Sequence, residues 1–90
     1  MDLGLGRQVV LVTGAASGIG AAIARRLSSE GVGGLVLTDR DATGLQRIGQ
    51  ELGVASPVET VVADLSDSAA PAAITGAATT RFGRIDGVIH

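Results

Sequence analysis

Residues 9–20 read VVLVTGAASGIG. The apolar run up to Val12 is typical of a strand covered on both faces in a parallel sheet, and helical periodicity begins just after the second glycine. The first backbone N–H groups of a helix have no carbonyl partners and carry a partial positive charge. Glycines at such a turn let the backbone approach a phosphate where a Cβ would block it. The stretch therefore predicts a buried strand that turns tightly into a phosphate-binding helix start.

Strand and helix signals alternate along the rest of the chain. Strands are predicted at residues 8–13, 35–38, 58–63 and 87–90, after a short lead-in over residues 1–7. The apolar side of the first helix is predicted to consist of Ile19, Ala22, Ile23 and Leu27. This helix is predicted to end near residues 30–31. The second helix contains Leu45, Ile48 and Leu52 and ends at Gly53, and the third helix covers residues 68–82. The alternation predicts an α/β fold, a Rossmann-type parallel sheet with helices on both faces and strand order 3-2-1-4, ending after its fourth strand.

The octet TGAASGIG at residues 13–20 resembles the Thr-Gly-x-x-x-Gly-Ile-Gly signature of the short-chain dehydrogenase/reductase family. Gly14, Gly18 and Gly20 are expected to seat the pyrophosphate of a dinucleotide on the first helix. The resemblance implies that Ser17 and Ile19 lie close to the phosphates and the nicotinamide ribose, and that Thr13 braces the turn. The alternative is a tight strand–helix connection that binds no ligand.

Asp39 stands 19 positions beyond Gly20, close to the spacing of about 20 expected for an acidic residue that binds an adenosine ribose. Its carboxylate would accept from the 2′-hydroxyl and repel a 2′-phosphate. Arg40 works in the opposite direction because arginine can hold a 2′-phosphate, unless it is only a solvated loop charge. In the family, NADP preference often goes with a basic residue at the position of Ser17. We therefore expect NAD, with NADP less favoured.

Two further sites are suggested by the resemblance. Asp64 and Leu65 follow the third strand, where family members place a pair that contacts the adenine amino group and ring. The alternative is helix capping, for which four side chains are candidates: Asp64, Ser66, Asp67 and Ser68. His90 replaces the first Asn of the family's Asn-Asn-Ala-Gly element, and we expect it to be structural and not catalytic.

Composition limits the remaining functions. The 90 residues have a net charge of −2 and no cysteine, so the sequence shows no electrostatic footprint for nucleic acid, no disulfide framework and no cysteine-based zinc site. No metal is expected. Apolar runs are far shorter than the roughly 18 residues of a membrane span. We therefore expect a cytoplasmic location and no membrane partner.

The sequence contains neither tyrosine nor lysine. The family's catalysis depends on a Tyr, a Lys four positions after it and an upstream Ser, so no catalytic residue is expected in this chain. We expect residues 1–90 to be the N-terminal portion of a single dinucleotide-binding domain, with the catalytic remainder outside it. The resemblance implies that the complete enzyme, a homo-oligomer, moves a hydride between NAD and a small alcohol or carbonyl substrate. The alternatives are a non-catalytic dinucleotide-binding or scaffold domain and, against the evidence of TGAASGIG, a Rossmann-like methyltransferase.

Overall fold

Four parallel strands form one sheet in the order β3-β2-β1-β4 in the computed structural model, which describes residues 5–90. In chain order the elements are β1 (Val9–Thr13), α1 (Gly18–Ser29), β2 (Gly34–Asp39), α2 (Ala42–Gly53), β3 (Val58–Val62), α3 (Ala70–Phe82) and β4 (Gly87–Ile89). The predicted fold class and strand order are confirmed, and the strand bounds differ from the predictions by single residues at their ends. The predicted lead-in lies partly outside the described residues, and its last three, Leu5–Arg7, form a 3-10 turn.

The sheet carries a separate apolar core on each face. Side chains of successive strand residues point to opposite faces, so Val10 and Val12 join one core while Val9 and Leu11 join the other. The first core is closed by α1 and α2 and the second by α3. The helices therefore lie on both faces, as predicted.

The buried side of α1 differs from the predicted apolar stripe. Ile19 is 78% exposed and Ala22 is also exposed, whereas the buried residues of this helix are Gly20, Ala21 and Ala24. The helix begins so close to the preceding turn that only very small residues fit beneath it. The two larger members of the predicted stripe, Ile23 and Leu27, are partly buried and pack at the margin of the core. Close fit, and not hydrophobic size, therefore selects the face of α1 that meets the sheet.

The start of α3 also differs from the prediction. The helix begins at Ala70, two residues later than predicted, and its N-cap Ala69 has no side chain that can cap. None of the four predicted capping residues occupies the N-cap: Asp64, Ser66, Asp67 and Ser68. Asp64 and Asp67 each accept a hydrogen bond from the backbone N–H two residues later, at 2.9 Å. Such local bonds compete with helix formation, and residues 65–69 form turns and a bend.

Parallel pairing brings the ends of the strands together. Thr13 at the end of β1 pairs with Thr38 of β2, and Asp39 at the end of β2 pairs with Val62 at the end of β3. All the residues predicted to bind a cofactor therefore lie along one edge of the sheet. In open α/β sheets, ligands bind at this edge, outside the carboxyl ends of the strands.

Candidate functional site

The turn after β1 is closed by its own hydrogen bonds. Gly14 adopts a left-handed conformation with φ of 62°, which a residue with a side chain rarely adopts. Its carbonyl accepts from the Ser17 backbone N–H at 3.0 Å and from the Ser17 hydroxyl at 2.6 Å. Ser17 is the N-cap of α1, and its Oγ accepts from the Gly20 N–H at 3.1 Å. The predicted strand, tight turn and helix are confirmed, with Gly18 as the first helical residue.

The start of α1 is open to a ligand. Within residues 5–90, no acceptor faces the backbone N–H of Gly18 or of Ile19. A Cβ built on Gly18 would meet nothing within 4 Å, so there is open space beside this residue. Unpaired N–H groups at the positive end of a helix attract anions. The geometry therefore suits the phosphate role predicted for this turn.

The Asp39 carboxylate is hydrogen-bonded to the turn at residues 14–18, here called the glycine turn. Its Oδ2 accepts from the Ala16 backbone N–H at 2.9 Å, and its Oδ1 accepts from the Asp41 backbone N–H at 2.9 Å. A carboxylate offers about four lone-pair positions, so each oxygen can accept a further hydrogen bond. Sequence spacing indicates that Asp39 lies near the turn, but no local signal indicates that it bonds to Ala16.

A cavity of about 250 Å³ lies beside this carboxylate. It brings together five of the predicted residues: Gly14, Asp39, Arg40, Asp64 and Leu65. Thr38 and Ala63, at the ends of the neighbouring strands, complete its wall. The cavity adjoins the turn, so a ligand that lies on the turn can extend into it.

The lining of this cavity includes acidic, basic and apolar side chains. The backbone N–H and the hydroxyl of Ser66 bond to the Asp64 carboxylate and, with a smaller effect from the positive charge of Arg40, hold the pKa of Asp64 below its ordinary value. Asp64 is therefore ionised near neutral pH and acts as a hydrogen-bond acceptor. Leu65 is 44% exposed and supplies an apolar surface beside it.

The remaining predicted residues lie outside this cavity. Ser17 and Ile19 are exposed at the start of α1. The Thr13 Oγ1 lies 3.0 Å from His90 Nδ1 and 3.4 Å from the Ile89 carbonyl, and within residues 5–90 it has no hydrogen bond to the turn. Thr13 therefore ties the ends of β1 and β4 together, a role that the sequence does not indicate. A second cavity of about 370 Å³, lined by Thr13, Leu65 and His90 among aliphatic side chains, lies on the α3 face.

The described residues offer neither a metal-binding cluster nor a membrane-spanning helix. Residues 5–90 hold no group of three or more His, Cys, Asp or Glu side chains placed to bind a metal ion. In the same part of the chain, every helix is too short or too polar to cross a bilayer.

The sequence and the fold are both similar to those of known proteins. Residues 8–90 match the family model for short chain dehydrogenases. Levodione reductase of Leifsonia aquatica is 46% identical over 86 residues, which cover 92% of this chain and 32% of that protein. The crystal structure of L-sorbose reductase from Gluconobacter frateurii, complexed with NADPH and L-sorbose, superposes with a TM-score of 0.89 at 30% identity and covers 98% of this chain and 34% of that one.

A second structure, a short chain dehydrogenase/reductase from Burkholderia phymatum in complex with NAD, gives a TM-score of 0.85 at 35% identity. It covers 90% of this chain and 29% of that one. The chain thus spans about a third of the length of these relatives. From the match over residues 8–90, the chain belongs to the short-chain dehydrogenase family.

Proposed function

We propose that this chain binds a nicotinamide dinucleotide on its glycine turn, with NAD preferred over NADP, and serves as the cofactor-binding part of an oxidoreductase. One observation carries the proposal: within residues 5–90 the N–H groups of Gly18 and Ile19 have no acceptor, and they follow two and three positions after Ala16, whose N–H bonds to the Asp39 carboxylate. A dinucleotide needs both features: the positive N-terminus of a helix binds its pyrophosphate, and an acidic residue at the end of a strand binds its ribose.

The residues present fit such a ligand. Gly14, Gly18 and Gly20 would seat the pyrophosphate, with Ser17 and Ile19 close to the phosphates and the nicotinamide ribose. Thr13 would brace the turn from the end of β1, where its hydroxyl bonds to the end of β4. Asp39 would accept from the adenosine ribose. The adenine would occupy the cavity of about 250 Å³, against Leu65 and within reach of the Asp64 carboxylate. An ionised Asp64 suits this role because the adenine amino group is a hydrogen-bond donor.

The preference for NAD follows from charge. At about 4 Å and an effective dielectric near 20, a pair of like unit charges costs up to about 4 kcal/mol, and even half of that exceeds a tenfold change in affinity. Asp39 would impose this cost on a 2′-phosphate. Arg40 opposes it, but its charge also acts on Asp64, which lines the same cavity. The similar proteins were crystallised with NAD or with NADPH, so the likeness supports a nicotinamide dinucleotide in general.

The complete reaction needs residues beyond these 90. The bound nicotinamide would accept or donate the hydride, and an alcohol or carbonyl compound would be its partner. The chain has neither tyrosine nor lysine, so the acid–base group of the family cannot come from it. Residues 1–90 would then form part of a single dinucleotide-binding domain of an enzyme that works as a homo-oligomer.

Calorimetric titration of the full chain with NAD, NADP and S-adenosylmethionine tests the proposal. We expect a Kd for NAD at least about tenfold below that for NADP, and no heat from S-adenosylmethionine. Binding of S-adenosylmethionine alone would overturn the proposal in favour of a methyltransferase, and a lower Kd for NADP would overturn only the preference.

Hydride transfer is a separate question. Protein purified from its native source would be mixed with NAD and a panel of alcohols, and reduced nicotinamide would be followed by its absorbance. We expect turnover with at least one alcohol. Dinucleotide binding without any turnover would favour a non-catalytic binding or scaffold domain.

A further inference from the structure

We propose that Gly44 is a positioning residue for the glycine turn: because it has no side chain, the start of α2 packs against Ala16 and fixes the turn in the conformation that receives the dinucleotide. The inference rests on the proposed function and adds a residue outside the cofactor cavity. Gly44 lies in the first turn of α2, on the side of the sheet that also carries α1.

The contact between Gly44 and Ala16 leaves no room for a methyl group. A Cβ built on Gly44 would lie 2.9 Å from the Ala16 Cβ and 2.5 Å from Asp41 Oδ2. The Asp41 oxygen lies at the end of a side chain and can rotate away, at the cost of the hydrogen bond of 3.0 Å that Asp41 Oδ1 accepts from the Gly44 N–H. The Ala16 Cβ has no rotatable bond, so it moves only if the backbone of the turn moves.

The strain would fall on the turn because α2 is held more firmly. Leu45, Ile48 and Leu52 anchor this helix in the core and are only 1%, 3% and 6% exposed. Ala16 is half-buried in a connecting segment. Well-packed cores resist displacement, so the shift is expected at Ala16, which is less buried than the residues that anchor α2.

Ala16 is also held from a second direction. The Asp39 carboxylate bonds to the N–H of Ala16 and to the N–H of Asp41, which is the N-cap of α2. The turn and the start of α2 are therefore joined through one carboxylate as well as by direct packing. A shift of Ala16 would be passed on to Ser17 and Gly18, the next two residues of the turn.

A shift of this kind acts on binding more than on folding. Gly18 and Ile19 present the N–H groups that would bind the pyrophosphate. Misplacement by about 1 Å can slow a reaction between well-oriented groups about a hundredfold. Binding by oriented N–H groups depends on geometry in the same way, so we expect a shift of a few tenths of an ångström to have a measurable effect on affinity.

The test compares Gly44→Ala with Gly53→Ala in the full chain. Gly53 is in the last turn of the same helix, and a Cβ there meets nothing within 4 Å, so it is a matched control for helix propensity. We expect Gly44→Ala to raise the Kd for NAD about tenfold, and Gly53→Ala to leave it within about twofold. Urea unfolding of both variants reports whether the folded state is retained.

A double variant identifies the contact. Ala16→Gly combined with Gly44→Ala removes the methyl group that Gly44→Ala would strike, and we expect a Kd for NAD equal to that of Ala16→Gly alone. If Gly44→Ala does not fold, the inference requires the double variant to fold and bind. A double variant that fails in either respect overturns it.

The remaining outcomes separate this inference from the proposed function. Wild-type chain that does not bind NAD overturns both. Wild-type chain that binds NAD, together with a Gly44→Ala variant of unchanged Kd, overturns the positioning role alone. Recovery of binding in Asp41→Ala with Gly44→Ala would also overturn it, because the carboxylate of Asp41 and not the methyl of Ala16 would then be the obstacle.

Discussion

The Asp39 carboxylate accepts a hydrogen bond of 2.9 Å from the backbone N–H of Ala16, so the end of β2 holds the middle of the glycine turn. Its other oxygen holds the N–H of Asp41 at the same distance. A carboxylate serves both partners because it only accepts hydrogen bonds. The same property lets it accept from a ribose hydroxyl and repel a phosphate. A substitution that removes the Asp39 carboxylate is therefore expected to weaken the support of the turn and the selection between NAD and NADP at the same time.

Asp39→Asn separates charge from size. The amide keeps one acceptor oxygen, but its NH₂ group would face one of the two backbone N–H groups, leaving that donor unsatisfied. We expect the free energy of unfolding to fall by about 1–3 kcal/mol. Because the negative charge is gone, the ratio of the Kd for NADP to that for NAD should fall by at least about tenfold. Urea unfolding and calorimetric titration with both dinucleotides measure the two effects.

Asp67→Asn is the control for Asp39→Asn. Asp67 likewise accepts a backbone N–H two residues ahead, at 2.9 Å, but lies in the exposed turns before α3 and does not line the cofactor cavity. It should leave the ratio of the two Kd values unchanged. An Asp39→Asn variant that kept the wild-type ratio would show that selection depends on another group.

Gly20→Ala tests the close approach of α1 to the turn. A Cβ at this position would lie 2.0 Å from the Gly14 carbonyl oxygen and 3.1 Å from the Ala15 Cα, and both are backbone atoms. Forcing α1 away from the turn would also uncover Ala21 and Ala24. We expect a loss of about 3 kcal/mol or more in the free energy of unfolding, measured by urea denaturation.

Gly76→Ala in α3 supplies the comparison, because a Cβ there meets nothing within 4 Å. Alanine in a helix interior should raise the free energy of unfolding by about 0.5–1 kcal/mol. The close-packing interpretation of α1 does not survive if Gly20→Ala is as stable as Gly76→Ala.

Gly18→Ala should weaken binding and leave stability unchanged, whereas Gly20→Ala should lower stability. The space beside Gly18 is empty of protein, so the free energy of unfolding should stay within about 0.5 kcal/mol of wild type. The added methyl group would stand where a pyrophosphate must approach the backbone, and we expect the Kd for NAD to rise about tenfold or more. Titration and urea unfolding of the same preparation measure both quantities. A variant that binds NAD with the wild-type Kd would remove Gly18 from the proposed phosphate site.

The features that the sequence predicts well are those that depend on neighbours along the chain. The strand, glycine turn and helix over residues 9–29 depend on local periodicity and on glycine conformation. The alternation of strands and helices implies a parallel sheet, for which few strand orders are possible. Asp39 is found by its spacing from Gly20. Even so, its bond to Ala16 joins residues 23 positions apart, and no local rule connects them.

The predictions that differ from the structure concern competition between alternatives. Ile19 has the right size and spacing for a buried position, yet the room beneath α1 admits only small residues such as Ala21 and Ala24. Before α3, several polar side chains can cap a helix, and bonds within turns engage Asp64 and Asp67 instead. Both outcomes depend on distances that exist only after the chain has folded.

Asp86 joins the beginnings of β1 and β4. Its backbone N–H donates to the Val9 carbonyl at 2.8 Å, and its Oδ2 accepts from the Val9 N–H at 2.8 Å. The Arg84 guanidinium bonds to its Oδ1, and the side chain of Asp86 is only 20% exposed. The bonds from Arg84, and then the bond from Val9, hold the pKa of Asp86 below its ordinary value of 3.8.

A carboxyl group whose pKa is lower in the folded chain than in the unfolded chain stabilises the fold most above the unfolded pKa. The contribution of Asp86 should therefore be constant near neutral pH and disappear as pH falls below 3.8 and through the lower folded value. Asp86→Asn lacks this contribution at every pH, so it should be less stable than wild type near neutral pH, and the difference should shrink in acid. The pKa values of Glu51 and Asp64 are lowered as well, by Arg25 and by Ser66. Both groups are present in the variant, so its own free energy of unfolding should still decrease as the pH falls. Urea midpoints of both proteins across this pH range measure the difference, and a difference that stays constant into acid would mean that ionised Asp86 does not hold Val9 in solution.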